Sequence, residues 1–169
     1  MQKGHVLYPL ATSFAQDISD IACTHKKMKL ADYVKRRNGV PLGASGSLRN
    51  MMIRSLGAGN FSTFWKYWNS IWGCCLGKFI IKPLKKIIPA SLSLILTFAF
   101  CGFLYDVVIM IVREGFTLIF TPWFLIMGLW VVVSELIVMD YSKYSWINRA
   151  FIFMVINGSS LVLAYKIRV

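Results

Sequence analysis

Between Ile87 and Val112 the only ionisable side chains are the Cys101 thiol, Tyr105 and Asp106. At about 1.5 Å of rise per residue, a helix over this stretch crosses a hydrocarbon core of roughly 30 Å. It reads as a transmembrane helix, and that constrains the rest of the chain. A second run, Phe116 to Met139, holds Pro122 near its start and Glu135 near its end, and Asp140 with Tyr141-Ser142-Lys143 closes it. It is long enough to span with tilt. A third, Trp146 to Tyr165, has Arg149 at its entrance, Asn157-Gly158-Ser159-Ser160 at its centre, and Lys166 and Arg168 beyond it. The fold expected is an all-α integral membrane protein with about three transmembrane helices, near 87–112, 116–139 and 146–165, preceded by basic amphipathic and interfacial helices.

The charge distribution sets the orientation. Residues 1–89 carry 14 basic and 3 acidic side chains, or +11, whereas residues 90–169 carry 5 against 4, or +1. Such a basic half suits either nucleic acid or the anionic face of a membrane. Lys78, Lys82, Lys85 and Lys86 stand directly before the first span, and the loop after it offers only Arg113 beside Glu114. By the positive-inside rule the basic half is cytoplasmic. Lipid headgroups and topology then account for the charge, and no nucleic-acid partner is expected. A multi-pass protein of the plasma or inner membrane is the expected localisation. No N-terminal signal peptide is expected, because His5, Gln16, Asp17 and Asp20 interrupt the early apolar residues.

Three segments divide the chain: 1–60, basic and cytoplasmic or interfacial; 61–86, aromatic and basic; and 87–169, the spans. In the first, Leu10, Phe14, Ile18 and Ile21 recur at helical spacing, and a second helix is expected over Leu30 to Arg37. A turn-rich joint from Gly39 ends at Ser47, a candidate N-cap for a helix that carries Leu48, Met51, Met52 and Leu56 and stops at Gly57 and Gly59. These glycines lack the Gly-Lys-Ser/Thr ending and the preceding strand of a phosphate loop. Four cysteines, Cys23, the adjacent Cys74 and Cys75, and Cys101, show no metal-ligand spacing.

The densest feature is Phe61 to Trp72. On a helical wheel Phe61, Phe64, Trp65, Trp68, Ile71 and Trp72 form one stripe with Asn69 at its edge. Two readings stay open: an interfacial aromatic anchor, or the wall of a pocket with a polar amide at its rim.

Phe64-Trp65-Lys66-Tyr67-Trp68-Asn69, a basic-aromatic stretch to Pro83-Leu84, and a span containing Cys101-Gly102-Phe103-Leu104-Tyr105-Asp106 together resemble the membrane-bound O-acyltransferase family. The likeness is strongest to its wax-synthase-like branch and runs from about Gly39 to Glu135. It implies transfer of an acyl group from a donor, acyl-CoA, to a hydroxyl of a lipid or saccharide, with no bound cofactor. It implies a site at Asn69 and at Tyr105-Asp106, with Trp65, Trp68 and Trp72 as substrate-binding residues.

Two departures stand out. The family's His falls on Tyr105, and a phenol of pKa about 10 is ionised only about once in a thousand at neutral pH. Asp106, desolvated in a span, is the better general base, leaving Tyr105 or Asn69 to donate to the developing oxyanion. Packing against Asn, Ser or Glu135 is the competing role for Asp106. Three spans are also few for a tunnel, which points to assembly with itself or a membrane partner. A catalytically inactive scaffold or partner-binding subunit of the same descent is the alternative function.

Overall fold

The residues following Pro89 have no polar interruption strong enough to compete with helix, and from there the chain runs as one helix to Arg113, ended by Glu114 in the left-handed region at φ 50°. The computed structural model describes residues 30–41 and 43–167. The helix expected on Leu10 to Ile21, both histidines and Cys23 lie outside the described residues. In chain order the elements are α1 (Leu30–Asn38), α2 (Ser47–Leu56), α3 (Phe61–Tyr67), α4 (Ser70–Leu76), a π-helical turn (Gly77–Ile81), α5 (Lys82–Leu84), α6 (Ala90–Arg113), α7 (Phe120–Leu136) and α8 (Trp146–Ile167). The described residues are all-helical, with no strand among them.

Helices α6 and α8, of 24 and 22 residues, are long and apolar enough to cross a membrane. The run from Phe116 to Met139 behaves differently. Its helix starts only at Phe120 and ends at Leu136, 17 residues, or about 25 Å at 1.5 Å per residue. The shortening has a local cause at each end. Residues Ile119 to Thr121 aim their N–H groups at a carboxylate on α6, and Val138 takes φ 54° to turn the chain back.

The core runs between α6 and α7, where Leu94, Met127 and Val131 are fully buried. Glycines permit that contact: a Cβ at Gly102 would overlap the Phe120 carbonyl, and one at Gly128 would lie 3.1 Å from Ile95 Cα. The polar centre of α8 does not break the helix. Asn157 donates to the Phe153 carbonyl at 2.7 Å and Ser160 to that of Ile156 at 2.7 Å, so both are satisfied within their own turn. The tie between α7 and α8 uses the Asn157 backbone, whose carbonyl accepts from Trp123 Nε1 at 3.2 Å.

The aromatic segment is not one continuous helix. After Tyr67 the chain breaks at Trp68, and Asn69 sits in the left-handed region at φ 46° before α4 begins. Nor does its stripe lie flat as an anchor. Phe61 and Phe64, 1% and 4% exposed, are core residues packed on Phe153 of α8, and Trp65 meets Phe98 of α6 edge-on at 5.1 Å. A second seam joins α2 to α8: Trp146 Nε1 donates to the Ile53 carbonyl at 3.1 Å and Arg149 to that of Gly57 at 2.6 Å. The Ile53 carbonyl also accepts from Gly57 N–H at 3.0 Å, so Trp146 adds a second bond to it, while Arg149 meets the carbonyl just past the end of α2. Ser47 is the first residue of α2 and not its cap; Gly46 takes the cap position, and Ser47 Oγ instead accepts from Asn38 Nδ2 at 2.8 Å.

Candidate functional site

Breaking the aromatic segment at Asn69 has a structural consequence. It lets α3 present Trp65 and α4 present Trp72 to the same side of α6, with Trp68 and Asn69 at the corner between them. A half-enclosed cavity of about 80 Å³ opens there, lined by these four residues and by Leu94, Thr97, Phe98, Cys101 and Tyr105 of α6 and Phe124 of α7. The three tryptophans singled out from sequence thus share one wall with Asn69, and Tyr105 is brought to them from across the bundle.

Each polar group in this wall has a traceable position. Asn69 caps α4, its Oδ1 accepting from Trp72 N–H at 3.5 Å, and its own N–H reaches Met51 Sδ at 3.3 Å. Asparagine suits this place because its short amide tolerates the left-handed backbone. Thr97, also in the wall, has its Oγ1 donating back to the Ser93 carbonyl at 2.6 Å. The Tyr105 ring lies 5.6 Å from Phe124 in a stacked arrangement and 6.5 Å from Trp72. With 38% of its surface exposed, Tyr105 is reachable by a molecule entering the cavity.

No family, curated protein or solved structure matches the chain.

Asp106 belongs to a different arrangement from the one expected. It is 1% exposed and is absent from the cavity wall. Oδ1 accepts from Ile119 N–H at 3.0 Å and Phe120 N–H at 2.9 Å, and Oδ2 accepts from Thr121 N–H and Oγ1, both at 2.7 Å. A carboxylate offers about four in-plane acceptor positions, and four donors fill them. The base role fails on geometry: no acceptor position remains for the proton of a substrate hydroxyl. The side chain instead caps α7 from a neighbouring helix, meeting the positive end of its dipole and its orphan N–H groups.

Sequence reasoning missed Leu94, Thr97 and Phe124 as lining residues. For Thr97 the signal was available, since Thr97, Cys101 and Tyr105 repeat at four-residue spacing and so share one helix face. Phe124 carried no such signal. Among the described residues the cysteines do not gather into a metal-binding group. Cys101 is buried on the cavity wall and Cys74 and Cys75 are half-buried on α4. Burial pushes the Cys74 thiol up, as does Cys75 beside it, with Lys78 opposing, so this thiol is not activated.

Proposed function

We propose that the chain is an integral membrane protein of the membrane-bound O-acyltransferase type, wax-synthase-like, that moves an acyl group from acyl-CoA to a hydroxyl of a lipid or saccharide. One observation carries the reading. The two blocks behind the resemblance, Trp65 to Trp72 and Cys101 to Tyr105, meet around a single cavity although about thirty residues separate them in sequence.

The environment supports a bilayer. Large apolar side chains are exposed along the outer faces of α6 and α8, among them Ile111 at 73%, Phe151 at 69% and Met154 at 63%. Such surface is costly in water and neutral in lipid. In the proposed topology α6, α7 and α8 cross in turn, α7 with help from its flanking residues. The ends of α6 next to Lys85 and Lys86, and of α8 next to Arg149, face the cytoplasm with α1 and α2.

Within the cavity the chemistry follows from what each group can do at neutral pH. The space takes the thioester group and its first methylenes, since a water-sized group occupies roughly 30 Å³, and the rest of the chain lies against the tryptophans and in lipid. The Tyr105 phenol and the Asn69 amide are donors to the thioester carbonyl oxygen as charge builds on it. The acceptor oxygen bonds to the carbonyl carbon, the carbon–sulfur bond breaks, and the acceptor's proton passes to the departing thiolate. A thiolate of pKa about 8.5 takes that proton readily, so the phenol serves as a relay and need not be a strong base. Asp106 supports this by fixing α7, and with it Phe124 behind the Tyr105 ring.

A second reading, a non-catalytic member that holds an acyl chain or a membrane partner, is favoured by one observation: Asp106, the carboxylate next to Tyr105 in the chain, is fully engaged in capping α7. Labelled acyl transfer in membranes separates the two. In the enzyme reading wild type yields acylated product and Tyr105→Phe loses about 100-fold or more, the usual cost of one oxyanion donor. A silent wild type with an active Tyr105→His assigns the chain to the non-catalytic reading.

A further inference from the structure

The stretch that joins α4 to α6 alternates between covered and open positions with a regular period. The exposed residues come in twos, four apart: Lys78 and Phe79, Lys82 and Pro83, Lys86 and Ile87, with buried or half-buried residues between them. The winding of the chain explains the pattern. The π-helical turn runs directly into α5, and the N–H groups of Lys85 and Ile88 then bond to the carbonyls of Ile81 and Leu84, both at 2.9 Å, so the helical path continues almost to Pro89. Residues four apart on such a path share a side. The covered side faces the bundle, where Gly77 is buried and Ile81, 2% exposed, lines the aromatic cavity. The outer side carries two adjacent rows, one of lysines and one apolar.

The charge of the lysine row is not balanced by its own part of the chain. From Tyr33 to Tyr105 there is no Asp or Glu. The Lys78 ammonium lies 5.3 Å from the centre of the Phe79 ring, a neutral partner that leaves its charge uncompensated. The apolar row is equally open, with Phe79 at 68% and Ile87 at 82% exposure. Nucleic acid would meet the ammonium groups but leave Phe79 and Ile87 in water. A phospholipid surface meets both rows: the apolar side chains enter the acyl layer, and the lysine stems lie along it with their ammonium groups at the phosphates. In the topology proposed above, the stretch sits at the cytoplasmic entrance of α6, at the depth of those phosphates.

We propose that this double row is a docking surface for anionic phospholipid, with Lys78, Lys82 and Lys86 at the phosphates and Phe79 and Ile87 in the acyl layer. The inference rests on the membrane reading but not on acyl transfer, because none of these five residues lines the aromatic cavity.

The test uses the full chain in nanodiscs of phosphatidylcholine doped with phosphatidylglycerol, with lipid retention read by native mass spectrometry. Wild type is expected to retain phosphatidylglycerol at least about five-fold over phosphatidylcholine, the gain from a single lysine near an anionic surface. Lys78→Gln, Lys82→Gln and Lys86→Gln together abolish the preference, and Lys78→Arg, Lys82→Arg and Lys86→Arg together keep it. Lys35→Gln, Arg36→Gln and Arg49→Gln, which remove the same charge from exposed positions on α1 and α2, leave it unchanged. A photoreactive benzoyl group on the Phe79 ring crosslinks to lipid acyl chains on irradiation. Equal retention of the two lipids by wild type overturns the proposal, as does a preference that survives the three glutamines or is lost equally in the α1 and α2 variant. Crosslinks from Phe79 to protein alone overturn it too, and so does a single-stranded RNA that displaces phosphatidylglycerol, which would assign the surface to nucleic acid. Alkaline carbonate washing of membranes keeps the two readings apart. Release of wild type by the wash contradicts the membrane reading itself, whereas retention in the membrane without the lipid preference contradicts this proposal alone.

Discussion

Asp106→Ala is expected to lower the stability of the protein by about 3–5 kcal/mol, since hydrogen bonds to a charged group are worth about 1.5–3 kcal/mol each and their loss strands the donors. The N–H groups of Ile119, Phe120 and Thr121 and the Thr121 hydroxyl all converge on its two oxygens. Water can replace such bonds at an exposed helix end but not around a carboxylate that is 1% exposed. Asp106→Asn is expected to be nearly as damaging. Asparagine is a good substitute at an ordinary cap, yet here its amide N–H₂ would face two donors on Thr121. Thermal unfolding of purified wild type and both variants in detergent, followed by helical circular dichroism, checks the result. If Asp106→Asn were as stable as wild type and merely inactive, the residue would be acting on substrate and not as a cap.

The second large effect is expected one helical turn earlier on the same face. Gly102 lets the α6 backbone touch the start of α7, and an added Cβ would overlap the Phe120 carbonyl and lie 2.8 Å from Thr121 Cα. Both obstacles are backbone, so no side-chain rotation relieves them. Gly102→Ala is expected to cost about 3 kcal/mol, the upper end of the usual range for overpacking, and to separate α7 from α6 enough to open the aromatic cavity beside Phe124. Gly158→Ala is the control. It lies mid-helix on α8 with nothing within 4 Å of its Cβ, and alanine there is expected to be neutral or to stabilise by about 0.5–1 kcal/mol. The same unfolding experiment reads both. Equal stability of the two alanine variants would mean that α6 and α7 do not approach as closely as the structure shows.

How far the sequence reveals this arrangement depends on the physical range of each signal. The helices α6 and α8 were legible because a long, mainly apolar run is a local property of many residues, in α8 despite its polar centre; the helix expected over Leu30 to Arg37 forms as Leu30–Asn38. The break at Asn69 was not. Helical periodicity across Phe61 to Trp72 is nearly perfect, and only the packing of Phe61 and Phe64 on Phe153, some ninety residues away, shows why one straight helix would not place Trp72 beside Tyr105.

Asp106 illustrates the opposite difficulty. An acid in a span signals an unusual demand, and the sequence located it correctly. Its meaning depended on where α7 begins, and that boundary rests on three N–H groups that no side-chain pattern displays. Pro122 was the one available hint, since proline favours the first turn of a helix. The wall of the aromatic cavity was half visible: the resemblance named Trp65, Trp68, Asn69, Trp72 and Tyr105, whereas Leu94 and Phe124 are ordinary apolar residues whose role comes only from their neighbours.

On the proposed function, the cavity between the aromatic segment and α6 takes an acyl chain. This is tested most directly by irradiating the membrane-embedded protein with a photoreactive long-chain acyl-CoA and mapping the labelled peptides. Label is expected on both walls, in Phe61 to Leu76 and in Leu94 to Tyr105, with loss from both in Trp72→Ala. Label confined to the exposed face of α8, around Phe151, Met154 and Val162, would show chains that merely line the protein's outer surface and would contradict it.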